Sequence, residues 1–202
     1  RDFNAARTIY SARGTASGFL YREIPQGAAT PYNLLFPIGT PGTYTPADLT
    51  FLLNRVTFNA GAFVGIKAVP QEHPAVERSN ISLRKYWVVT SGNISMLSDA
   101  ANIVFYYNSA EPDGNEGSYV VLYFAPSHPS PAGFWRIDPG QSDDVVDFNS
   151  KLFYSQQVNQ INGDWTAGET DAGAATYFSR ANGDYNTPST WSKLNFNGPA
   201  ST

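Results

Sequence analysis

The 202-residue chain contains no cysteine, which excludes a disulfide framework, a zinc–thiolate site and a cysteine nucleophile. Bacterial surface proteins often do without cysteine, so this does not place the chain in the cytosol. Charge is scarce as well: Asp, Glu, Lys and Arg make up 15% of the residues, against roughly 25% in an average globular protein. The net charge is -4 and no basic run is present, so the clustered cations that displace counterions from nucleic acid are missing. No nucleic-acid partner is expected. No apolar run approaches the roughly 20 residues of a membrane span, and Arg1-Asp2-Phe3-Asn4 is not a signal peptide. Membrane insertion is therefore not expected, and the missing initiator Met suggests a segment of something longer.

Long uninterrupted stretches are missing too. Gly 17 and Pro 14 are spread along the chain, leaving little room for helices of the usual length of about 11 residues. What remains are short runs rich in aromatic and β-branched residues, each bounded by turn residues. They fall at 18–24, 34–38, 49–58, 62–69, 84–90, 102–107, 118–124, 133–137, 145–154, 164–167 and 176–179. That spacing predicts an all-β, immunoglobulin-like antiparallel β-sandwich with a C-terminal extension. Alternation supports it: Ala62, Val64, Ile66 and Ala68 fall on one face and Lys67 on the other. In 102–107, Ile103, Phe105 and Tyr107 share a face, while Val104 and Tyr106 make the opposite face apolar too. The run 49–58 is ambiguous. Thr45-Pro46-Ala47-Asp48 reads as a helix N-terminus, with Leu49, Leu52, Leu53 and Val56 at helical spacing. The same stretch also alternates through Leu49, Phe51 and Leu53.

Candidate chemistry is thin. His73 and His128 each precede a proline, which biases them toward extended loops. Neither lies in a recognisable nucleophile or metal motif, so both read as solvated or turn-packed. Acidic residues cluster at Glu111-Pro112-Asp113-Gly114-Asn115-Glu116 and at Asp143, Asp144 and Asp147. Glu111, Asp113, Asn115 and Glu116 offer oxygen ligands around a glycine turn, which suits calcium. The stretch lacks the order of an EF-hand loop, and a solvated hairpin made of the same turn residues takes precedence. No other cofactor is expected. Among the aromatics, Trp135, Trp165, Trp191 and Tyr185 could stack on sugar rings, although most aromatics lie in predicted strands where packing is their ordinary use.

The order of motifs is more specific than any one of them. Gly18-Phe19-Leu20 leads through Ile24-Pro25-Gln26-Gly27-Ala28 to Phe36-Pro37-Ile38-Gly39. Tyr44-Thr45-Pro46-Ala47, His73-Pro74, Ile81-Ser82, Lys85-Tyr86-Trp87 and Gly163-Asp164-Trp165-Thr166-Ala167-Gly168-Glu169 follow. This resembles a repeated β-sandwich module of large Bacteroidota cell-surface, adhesin-like proteins exported by type IX secretion. Lys85 stands where that family usually has Arg, and Ile38 where Val is common. The resemblance implies a strand over 49–58, and that is the expectation taken here. It implies residues 18–170 as the module, 1–17 as a lead-in strand or linker, and 171–202 as an extension or joint to the next module or copy.

What the resemblance implies for function is a non-catalytic structural or adhesive module at the extracellular bacterial surface, serving as spacer, assembly unit or attachment surface. Its partners would be neighbouring modules or copies of itself, and surface glycans. The alternative is a carbohydrate-binding module, and a hydrolase ranks behind both. Asn162-Gly163-Asp164-Trp165-Thr166 is echoed at Asn182-Gly183-Asp184-Tyr185-Asn186. The second copy reads as part of the joint, so Tyr177, Phe178, Tyr185 and Trp191 are expected to contact a neighbour.

Overall fold

A computed structural model describes residues 9–10, 18–76, 80–125, 134–136, 144–169, 178–179 and 191–192. Two antiparallel sheets pack face to face as a β-sandwich, so the all-β expectation holds. Along the chain run β1 (Ile9–Tyr10), β2 (Leu20–Ile24), β3 (Tyr32–Phe36), β4 (Ile38–Thr40), β5 (Thr43–Tyr44), β6 (Ala47–Phe51), β7 (Val56–Val69) and β8 (Tyr86–Met96). Then come β9 (Ala101–Tyr106), β10 (Tyr119–Ala125), β11 (Phe134–Arg136), β12 (Val145–Asp147), β13 (Leu152–Val158), β14 (Gly163–Glu169), β15 (Phe178–Ser179) and β16 (Trp191–Ser192). The six-stranded sheet has the order β11-β10-β14-β8-β7-β2, and the five-stranded sheet β12-β13-β9-β6-β3. Strands β1, β4 and β5 form a small third sheet, in which β1 and β4 are parallel, and β15 pairs with β16. Among the described residues the only helical element is a single 3₁₀ turn at Glu116–Ser118.

Alternation decides what the two sheets bury. Ala62, Val64, Ile66 and Ala68 face inward, as do Ala47, Leu49 and Phe51 on β6 and Ile103 and Phe105 on β9. Between the layers, Trp87 lies 5.2 Å from Phe105 and 5.5 Å from Phe153, ring centre to ring centre, and Tyr123 packs 4.4 Å from Trp165. Phe58 joins Phe51 and Tyr32 at 5.1 and 5.5 Å. Removing one such ring costs about 3–5 kcal/mol, because neighbours relax only partly into the hole. The outward residues Val104 and Tyr106 are half-buried, so the outer face of β9 is partly covered.

The run 49–58 is neither a helix nor one strand. β6 ends at Phe51, the chain turns through residues 52–55 and crosses to the other sheet, and β7 begins at Val56. Two causes are visible. Thr45 does not cap a helix; its hydroxyl is buried and accepts a hydrogen bond from Lys85 Nζ at 3.0 Å. Asn54 takes φ 58, a left-handed turn conformation that Asn tolerates. Leu53, which a helix would have buried, is 60% exposed. The crossing is braced where Leu52 N–H bonds to Ala100 O and Leu97 N–H to Arg55 O, so the two passages between sheets hold each other.

Two further expected strands are divided. Pro37 has no N–H for a ladder and separates β3 from β4. In 145–154, Asp147 Oδ1 accepts from the N–H groups of Asn149 and Ser150, closing a turn between β12 and β13.

Candidate binding surface

The outer face of the six-stranded sheet carries two different surfaces. Strand pairing sets Lys67, Val88, Asp164 and Phe124 in one row across β7, β8, β14 and β10. Over β14 and β10 the row is covered by the connection between β7 and β8. Ala75, Val76 and Ile81 from that connection pack around Leu122, with Val120 and Phe124.

His73 fastens this cover. Its ring is 4% exposed and sits 4.6 Å from Tyr86 and 5.0 Å from Phe124, ring centre to ring centre. Nε2 lies 2.9 Å from Asp164 Oδ2, and Nδ1 accepts the N–H of Ala75 at 3.1 Å. Glu72 adds a second tie by accepting from the Ser82 hydroxyl at 2.7 Å. Burial, then the charge of Asp164, pushes the Tyr86 hydroxyl above its ordinary value. Of the two sequence readings of His73, the turn-packed one is what the structure shows. His128 lies outside the described residues.

Over β2 and β7 the same face is uncovered by any described segment. There Tyr21, 53% exposed, stacks on Phe19 with ring centres 5.5 Å apart and meets Phe63 edge-on at 5.8 Å. The rings lean across strands onto glycines. A Cβ on Gly65 would come within 2.5 Å of the Tyr21 ring, and one on Gly92 within 2.5 Å of the Phe63 ring. Lys67 Nζ stands 4.9 Å over the Phe19 ring, a cation–π contact. Glu23 is exposed and lies opposite Phe63 in register. Sequence reasoning passed over these residues because each sits in a predicted strand. The available signal was that Phe19, Tyr21 and Phe63 occupy outward positions by alternation.

The first Asn-Gly-Asp-aromatic unit has a structural explanation. Asn162 accepts the Ser91 hydroxyl at 2.8 Å with its side chain and the Tyr123 hydroxyl at 2.6 Å with its carbonyl. Gly163 has φ 148, and a Cβ there would come within 2.5 Å of the Tyr123 ring, so glycine alone fits. Asp164 takes His73, and Trp165 enters the core with Nε1 donating to Ile161 O at 3.0 Å. Trp165 is 2% exposed and offers no face to a sugar, which corrects its place in the expected platform. Trp135 lies on β11 opposite Phe124; Phe178 on β15 and Trp191 on β16 pair with Ser192 and Ser179. Tyr177, Tyr185 and the second copy of the unit lie outside the described residues.

The acidic stretch 111–116 is organised around cations of this chain. Alternation places Lys85 inward with Trp87 and Val89, and it is 1% exposed. It forms an ion pair with Glu111 and donates to Thr45. Burial pushes its ammonium below the ordinary value, and Glu111 opposes that shift. Lys151 reaches both Glu116 oxygens at 2.8 and 2.7 Å, and Tyr107 donates to Oε1 at 2.7 Å. Asp113 faces Arg84 at 3.5 Å, and the Asn115 side chain accepts from Gly117 N–H. The four proposed calcium ligands thus point to separate partners. Among the described residues no group of three or more His, Asp or Glu is placed to hold a metal ion, and no helix is long and apolar enough to cross a membrane.

No family model, no curated protein and no solved structure gives a significant match to this chain.

Proposed function

We propose that the chain is a non-catalytic, immunoglobulin-like module of an extracellular bacterial surface protein, of the type IX-exported kind its motif order resembles. It serves as spacer, assembly unit or attachment surface. The observation that supports this reading most is how the polar side chains are spent. Lys85 with Glu111, Lys151 with Glu116 and His73 with Asp164 each tie a loop to a strand or to another loop. A general acid or base must face the reacting atoms of a substrate; these groups face each other.

Such bracing suits a unit that stands in line with others outside the cell and keeps its shape without disulfides. Among the described residues no strand pairs with the outer edges of β2 and β3, although Arg22 of β2 donates to the Leu35 carbonyl of β3 at 3.1 Å. An edge of this kind can accept a strand from a neighbouring copy, with residues 171–202 as the proposed contact.

Antibodies against the chain should label intact cells of the source bacterium, and disabling type IX export should abolish the label. Labelling that requires permeabilised cells would overturn the proposal.

A further inference from the structure

We infer that Phe19, Tyr21 and Phe63 form a stacking platform for an uncharged glycan, a chain of pyranose residues. This deepens the attachment role proposed above and rests on it. The C–H face of a pyranose carries slight positive charge and fits the negative face of an aromatic ring, while its hydroxyls need polar partners at the margin.

Both requirements meet on this patch. Tyr21 is 53% exposed, and Phe19 lies 5.5 Å from it with the two rings 28° from parallel, while Phe63 meets Tyr21 edge-on at 5.8 Å and 67° and walls the platform on that side. The spacing of Phe19 and Tyr21 is comparable with the length of one sugar residue. Gly65 and Gly92 leave the room into which the rings lean, so the rings are held by the sheet rather than waving above it. Lys67 lies against Phe19, and Glu23 stands opposite Phe63. One positive and one negative group leave the patch without net charge, which matches hydroxyls and disfavours a polyanion.

Area argues against a protein partner. An aromatic side chain buries about 150–250 Å² when fully covered, and these three already cover part of one another. The few hundred Å² remaining fall short of the roughly 800 Å² per partner in a stable protein interface.

The test is calorimetric titration of the 202-residue chain with neutral hexasaccharides of glucose, xylose and mannose, and with hexagalacturonate. Saturable binding to at least one neutral hexasaccharide is expected. Tyr21→Ala and Tyr21→Thr should each weaken it by about tenfold or more, with melting curves confirming that both variants fold. Tyr21→Trp should bind at least as well as the parent chain. Absence of binding to every neutral hexasaccharide, preference for hexagalacturonate, or affinity unchanged in Tyr21→Thr would each overturn the inference. Cell-surface labelling reads the underlying proposal independently, so a surface-exposed chain that ignores these sugars would refute the platform alone.

Discussion

His73 Nε2 stands 2.9 Å from Asp164 Oδ2 and joins positions 91 residues apart. Because Nδ1 already accepts the Ala75 N–H, the ring proton of the neutral imidazole sits on Nε2 and is donated to the carboxylate. The contact holds the β7–β8 connection on the sheet. It also keeps the β10–β14 part of the outer face covered, while no described segment covers the aromatic part over β2 and β7.

Replacing His73 with Ala should therefore destabilise the fold by about 2–4 kcal/mol, from lost packing against Tyr86 and Phe124 and a carboxylate left without its donor. Urea unfolding measures this. Hydrogen exchange adds a local reading: the Val76 N–H, bonded to His73 O, should lose protection in the variant. Equal stability and unchanged exchange would show that the cover holds without the pair.

The pair of buried Lys85 and partly buried Glu111 gives a second expectation. Lys85→Met leaves Glu111 without its cation and should cost about 3–5 kcal/mol. In the double variant Lys85→Met/Glu111→Leu no charge is stranded, and most of that loss should be recovered. A double variant as unstable as Lys85→Met would mean that the cost lies in packing around Trp87 and Thr45 rather than in charge.

These two pairs show what could be read in the sequence. Strand alternation correctly turned Ala62, Val64, Ile66 and Ala68 inward, because a half-buried sheet imposes a period of two on its own residues. The same rule applied to 84–90 puts Lys85 inward beside Trp87, and an inward ammonium demands a partner. The identity of that partner was not legible. Glu111 reaches it only through the pairing of distant strands, so from local composition it looked like a calcium ligand. The turn at Asn54 was hidden for a similar reason. Leu49 to Val56 satisfies helical spacing and part of an alternating pattern at once, and the choice fell to Lys85 claiming the Thr45 hydroxyl and to the crossing between sheets. Tyr21 and Phe63 were legible as strand aromatics, but their seats over Gly65 and Gly92 depend on cross-strand register.

Asp48 supplies a pH dependence whose sign follows from its surroundings. It lies on the outer face of β6 opposite Leu35 and Val104, with Tyr44 and Tyr106 the titratable groups beside it. Burial pushes its carboxyl above the ordinary value, and the hydrogen bond from Tyr106 only partly offsets this. A folded-state value above the unfolded one means that the native chain binds the proton more tightly. The associated stability is full below the unfolded value of about 3.9, and is lost as pH rises through the folded value. At neutral pH the ionised Asp48 is thus a small net burden, while Asn keeps an acceptor for Tyr106 without the charge. Asp48→Asn should melt about 1–3 °C above the parent chain at pH 7, a gain below about 1 kcal/mol because the site is half open to water. The gap should close as pH falls toward 4. A variant that melts below the parent at pH 7 would show that Asp48 is stabilising as the anion, and a gap that persists in acid would show that the gain does not come from its charge.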